Sequence, residues 1–483
     1  METEPLADAA LRGASPLDEA GPLAGAAPRE ASPLHAPGDT EAEDATLLHT
    51  SALAPAAGAP RVDALQDAHF KAHAASDPYL VLHRAVYFLG MGAAAAYFPF
   101  AVQYWMLPPE KGGLGLSASE AGAVFAIGHF VVMFFAPLVA NFADGSEARR
   151  RWVLVGGLAG QCCAVLLMSR ARTMAGAIAC EVLQEALSCG VWPSVDAATQ
   201  RLLEVRDGHT AGYGGVRAWG AVGWGALALL FGAFYDRVGL PAMFYTFAVS
   251  ALPAAVLCLR MPLEKRGATS AGSAAALRAI MRVDVLVVFL VCLICAVLLQ
   301  MVDVFRFPFL ASLGASNALL GSSLTITAVS EAPFFFVTSA LLKRISLRTA
   351  LIAVALGYAV RFLYSSVLVD PVMTLPAELM HGITFALGWA AATQYVTALL
   401  PPELSSTAQG LLSATQWGLG SALGSAGGGA VAGLWGWRVM WVAGAALGFV
   451  GALLMASQRP PERAAAEPEA ATQPPAAAAA TSA

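Results

Sequence analysis

Charge is scarce in this chain. Asp, Glu, Lys and Arg make up 13% of its 483 residues, where a soluble domain carries about 25%. Hydrophobic residues reach 57% and mean hydropathy is +0.63, so a water-soluble globule is excluded and a polytopic membrane protein is expected. Other absences narrow the function. There is no G-x-x-x-x-G-K-[ST] loop, which argues against ATP-driven transport, and no H-E-x-x-H or G-x-S-x-G constellation. No catalytic residues, no cofactor and no nucleic-acid partner are expected. The seven cysteines all fall inside apolar runs; Cys292-x-x-Cys295 has knuckle spacing but no second pair, so they read as small buried hydrophobes and no metal site is expected.

What charge there is has an uneven distribution. Residues 1–78 hold 13 acids against four bases amid Ala, Pro and Gly, a composition expected to stay disordered. This tail lacks the basic and apolar regions of a signal peptide. Within it Glu43, Leu47 and Leu48 fit an acidic dileucine pattern that sorting adaptors read. Residues 458–483 form a second Ala/Pro-rich tail.

Between the tails, a ruler of about 20 helical residues per bilayer crossing predicts twelve spans. They lie near 85–106, 119–141, 152–169, 174–197, 215–235, 241–260, 284–310, 319–342, 349–368, 372–398, 407–433 and 438–456. With a cytoplasmic N-terminus, the inner loops and C-terminal tail collect sixteen Lys and Arg, and the outer loops only five. Basic loops stay inside, so both termini are expected in the cytoplasm. The longest connection, 261–283, splits the spans into halves at 79–260 and 284–457. An offset of 193 residues lays Arg150 and Arg151 on Lys343 and Arg344, Trp224 on Trp417, and Glu185 on Glu378. That register favours an all-α protein of two pseudo-symmetric six-helix bundles, with a site between repeats as transporters have. Gly420, Gly424 and Gly428 form successive G-x-x-x-G steps suited to close helix packing.

Three stretches carry a resemblance. Asn141 to Arg151, with Asp144 followed by Arg149, Arg150 and Arg151, resembles the loop between spans two and three of the major facilitator superfamily; Ala140 stands where that pattern has its first glycine. Tyr213 to Gly225 and Pro401 to Gly410 resemble the MFS-1-like group, which includes the macrophage MHC-receptor-2 homologues and is related more distantly to lactose-permease-type symporters. The resemblance covers residues 80–457. It implies the twelve-span facilitator fold and a gating role for Asp144 and Arg149–Arg151.

Charged side chains inside the spans are the candidate functional residues, because a charge at the bilayer centre costs roughly 2.5–3.5 kcal/mol on insertion scales. Glu331 falls on span eight, Arg361 on span nine, and Glu378 and His381 three residues apart on span ten. Lactose-permease-type symporters use those residue types on those helices for proton coupling, with His before Glu on span ten. The order is reversed here, which leaves the roles of Glu378 and His381 interchangeable. Fixed ion pairs holding helices in register are the alternative. Asp303 and Arg306 are placed either as an internal pair or as substrate ligands. Glu181 and Glu185, at i and i+4, suit a polyhydroxylated or cationic substrate but repel when both ionise. Trp389 and Trp417 offer aromatic faces for a sugar or for packing, and Asp196 is placed to pair with Arg217 at the entrance to span five.

The sequence therefore predicts a secondary transporter, working with a small organic solute and protons in the lipid bilayer of a plasma, endosomal or vacuolar membrane. Sugars or glycosides lead the substrate classes. An uncoupled uniporter, or a transporter-shaped receptor without flux, are the competing readings.

Overall fold

The computed structural model describes residues 77–263 and 281–458, apart from positions 209, 211, 402 and 403. The dileucine motif, most of both tails and positions 264–280 of the central connection lie outside the described residues. Within them the chain runs through twelve helical rods. These are α1 (Asp77–Met106), α2 (Ala118–Asp144), α3 (Glu147–Met168), α4 (Met174–Asp207), α5 (Tyr213–Val238) and α6 (Leu240–Cys258). The second set is α7 (Val283–Ser312), α8 (Asn317–Leu342), α9 (Leu347–Ser366), α10 (371–399), α11 (405–435) and α12 (Trp437–Ser457).

Local chemistry sets many of the boundaries. Ser117 and Glu120 form a reciprocal capping box at the start of α2, and the side chains of Thr173, Ser316 and Ser346 cap α4, α8 and α9, each satisfying an orphan N–H of the first turn. α1 begins at Asp77, inside the segment expected to be tail, because its Pro78 suits a first helical turn. Ten of the helices are long and apolar enough to cross a membrane. The other two, α10 and α11, are interrupted. Each contains a π-helical stretch, Gly382–Leu387 and Ala414–Gly420, a distortion often found at functional positions.

The halves meet through a symmetric pair of crossings, α5 on α8 and α2 on α11, with α1 beside α7. Superposing the first six helices on the last six exchanges the two crossings, as a duplicated bundle requires. Glycine makes both possible. A Cβ at Gly122 would stand 2.4 Å from the Ser425 carbonyl, and one at Gly321 would stand 2.2 Å from that of Ala228. Where lipid removes most hydrophobic drive between helices, such backbone proximity supplies the packing. The Gly420–Gly424–Gly428 stripe packs against Ala296, Val297, Gln300, Met301 and Phe305 of α7.

Hydrogen bonds between the halves gather at the end carrying the α1–α2, α7–α8 and α11–α12 loops. Asp236, at the end of α5, accepts from Asn317 N (2.8 Å), Asn317 Nδ2 (3.0 Å) and Ala318 N (2.9 Å), so it caps α8 from the opposite half. Gln103 Nε2 donates to Asn317 Oδ1 at 3.3 Å, and Ser119 Oγ to the Gly429 carbonyl at 3.2 Å. The conformer is closed at this end. Removing an N-cap acceptor costs about 0.5–2 kcal/mol, so Asp236→Ala should populate a state separated at this end. Spin labels on the α1–α2 and α7–α8 loops would report a longer distance component; an unchanged distribution would show that the cap does not hold the halves together.

Candidate functional site

Glu378, on the first turns of α10 and 1% exposed, is the hub of the intramembrane charges. Its Oε2 accepts from Arg306 Nη1 of α7, from Arg361 Nη2 of α9 at 2.5 Å and from Thr327 Oγ1 of α8 at 3.1 Å. Its Oε1 accepts from Thr374 Oγ1, one turn earlier, at 3.2 Å. Both guanidinium groups are buried, at 4% and 2% side-chain exposure. The carboxylate thus satisfies the rule that a charge taken out of water needs both a counter-charge and hydrogen bonds.

From this hub the contacts extend toward Glu331. Arg361 Nη1 lies 3.4 Å from His381 Nδ1. A guanidinium can only donate, so Nδ1 accepts and the ring proton sits on Nε2. His381 Nε2 is 3.8 Å from Glu331 Oε2. Glu331 keeps 19% of its side-chain surface accessible and lies within electrostatic range of Asp303 and of Arg217 in the other half. The α5–α8 crossing accounts for the proximity of Arg217. Gly225 meets Thr325 and Ala328, and an antiparallel step of two turns brings position 217 opposite the turn after Glu331. Asp303 is the one exposed position between residues 291 and 310 of an otherwise buried helix. It lies within range of Arg306, Arg361 and Glu378, so it opens on the interior rather than on lipid. Two arginines face three acids, and a single bound proton makes the cluster neutral.

An aromatic band adjoins the charges. The His381 ring stacks on Phe385 at 5.2 Å between centroids, Phe385 meets Trp417 at 6.3 Å, and Trp417 meets Trp389 at 6.2 Å. Trp417 is 43% exposed. The two π-helical stretches hold this band, since Phe385 and Trp417 belong to them.

The structure brings Glu331, Arg361, Glu378, His381, Asp303 and Arg306 into one region of the C-terminal half. Arg306 turns to Glu378 and not to Asp303, with which its spacing offered an internal pair; Arg361 also engages Glu378, and Glu331 faces His381. Asp196 does pair with Arg217, at 3.0 Å, and also accepts from Tyr87 Oη at 2.5 Å. In the loop after α2, Arg150 lies 3.7 Å from Asp144, Arg151 pairs with Glu147 at 2.7 Å and donates to the Leu259 and Met261 carbonyls, and Arg149 covers the Phe142 ring. In the N-terminal half Glu181 is enclosed at 1% exposure and Glu185 is half-buried. Thr327, Thr374 and Phe385 escaped sequence reading. Thr374 was legible as the i−4 neighbour of Glu378 on one helix face; the other two carry no local signal.

Residues 80–443 match the MFS_1 like family, and the chain belongs to that family of the major facilitator superfamily. It is similar to the maltose permease of Geobacillus stearothermophilus, 27% identical over 343 residues, covering 69% of this chain and 83% of the permease. In fold it resembles the nucleoside transporter NupG, with TM-score 0.69, 15% identity, and coverage of 79% of this chain and 100% of that one. A bacterial homologue of the human lysosomal transporter Spinster, in an inward-facing and unoccupied conformation, superposes with TM-score 0.59 at 15% identity over 79% of this chain and 97% of that one. The protein is an integral, multi-pass membrane protein of transporter type.

Glu378→Gln leaves two buried guanidiniums facing a neutral amide, and should destabilise by roughly 3–5 kcal/mol. Glu331→Gln, partly accessible and loosely paired, should change stability by less than about 1 kcal/mol. Urea unfolding of both variants in detergent checks the ranking; equal losses would remove Glu378 from its central position.

Proposed function

We propose that this protein is a proton-coupled secondary transporter of a small organic solute, working by alternating access. The observation that carries the reading is the placement of Glu331. It is a partly accessible acid in mid-bundle, 3.8 Å from His381 and within electrostatic range of Arg217 of the opposite half. Glu378 is saturated by two arginines and serves as the fixed counter-charge, while Glu331 and Asp303 are the acids with room to gain and lose a proton. If the protonated form binds solute better, linkage makes proton binding tighter in return.

Sugars and glycosides are the favoured substrate class. The similarity to a maltose permease supports this, and so does the aromatic band, which presents flat apolar faces beside hydrogen-bonding groups. Glu185, Asp303, Trp389 and Trp417 are proposed to line the solute path. Arg306 and Glu181, both enclosed, support it from behind. With the basic loops on the cytoplasmic side, both termini are cytoplasmic and the closed end faces outward, so the solute path of this conformer opens on the cytoplasm. Asp144 with Arg150, and Asp196 with Arg217, are proposed as gating contacts that rearrange when that end closes.

Reconstituted wild type should accumulate the solute when a proton gradient is imposed. Glu331→Gln should lose accumulation by at least tenfold while retaining solute exchange. Accumulation that survives in the variant would remove Glu331 from coupling, and wild-type flux indifferent to the gradient would establish a uniporter.

A further inference from the structure

The N-terminal half contains a polar cluster that the C-terminal site leaves unused. Glu181 on α4 is 1% exposed; its Oε2 accepts from Gln184 Nε2 at 2.9 Å, and its Oε1 has no hydrogen-bond partner. Gln184, also 1% exposed, has an unpartnered Oε1. Across from them on α1, Tyr97 is fully buried with its hydroxyl unpartnered, within electrostatic range of Glu181 and Glu185. α2 closes the third side. A Cβ at Gly128 would lie 3.0 Å from Glu181 Oε1 and 3.1 Å from Glu185 Cγ, so the backbone presses directly on both acids.

Three buried oxygens without partners, two of them carbonyl-type acceptors, need something that donates or coordinates. The surrounding titratable groups are Tyr97 on α1, His129 beside Gly128 on α2, and Cys180 and Glu185 on α4. His129 has its Nδ1 engaged by the Phe125 carbonyl at 2.9 Å. No guanidinium or ammonium forms an ion pair with Glu181 or Glu185 among the described residues. An isolated carboxylate there, next to a second one, lacks the counter-charge that burial demands. The Gly128 backbone packs closely on the acids from the α2 side, and oxygen ligands suit a small hard cation.

We propose that α1 and α4 form a monovalent-cation site, in which Glu181, Gln184 and Tyr97 hold a proton or a sodium ion. The site is separate from the Glu331 cluster and does not rest on the coupling role given to that residue. Its occupant would be a second cation per transport cycle, carried by the opposite half.

The test compares unfolding temperatures of wild type, Glu181→Gln, Tyr97→Phe and Glu331→Gln in detergent. N-methylglucamine is exchanged for sodium at constant ionic strength, and pH is then varied without sodium. With sodium as occupant, the wild type is stabilised by sodium with a saturating half-point. Glu181→Gln abolishes the response, and Tyr97→Phe, losing one neutral ligand of about 1 kcal/mol, raises the half-point about fivefold. With a proton as occupant, sodium has no effect, and the wild type shows a pH-dependent component missing from Glu181→Gln. In either case Glu331→Gln keeps the response, which separates this site from the coupling cluster. The proposal is overturned if Glu181→Gln and Tyr97→Phe follow the wild type under both titrations. It is equally overturned if Glu331→Gln removes the response instead.

Discussion

One carboxylate holds the C-terminal half together electrically. Glu378 receives guanidinium groups from α7 and α9 and hydroxyls from α8 and its own helix. Without it two buried cations would face each other across an apolar interior. The other polar positions follow from this pairing. Arg361, anchored at one nitrogen, has its second nitrogen free to face His381; that contact selects the ring tautomer and turns Nε2 toward Glu331. The clamp is thus what leaves Glu331 as the less committed acid.

The duplicated architecture makes the electrical contrast between halves informative. Glu185 and Glu378 occupy equivalent sequence positions, yet Glu378 meets two arginines and Glu185 has no ion-pair partner among the described residues. Repeats of one backbone plan thus enclose opposite problems. In one half cations are gathered around an acid, and in the other two acids lie one turn apart without an ion-pair partner among the described residues. A rocking motion between such halves moves a strong internal field relative to the shared interior, where a charge or dipole on the solute would feel it.

Much of this was legible in the sequence because bilayer length and hydropathy impose a coarse, reliable ruler. The twelve helices, the six-plus-six division and the gathering of Glu331, Arg361, Glu378 and His381 in one half all follow from span order. Partner choice does not. Spacing of i and i+3 suggests that Asp303 and Arg306 meet, but a long guanidinium stem reaches across helices, and the buried Glu378 offers more than an accessible neighbour. Depth on a helix likewise says nothing about rotation, so Glu181 and Glu185, one turn apart, could not be separated into an enclosed and a half-exposed acid. The π-helical stretches of α10 and α11 have no compositional mark; they arise from how those helices pack.

The contact by which Asp236 caps α8 is asymmetric in its authorship. Two of the three donors it binds are main-chain N–H groups, of Asn317 and Ala318. Any residue other than proline supplies such donors, so substitutions at those positions leave most of the latch in place. At this contact the chemical demand falls on one acidic side chain of the first repeat, while the two capped positions of the second repeat need only keep a main-chain N–H.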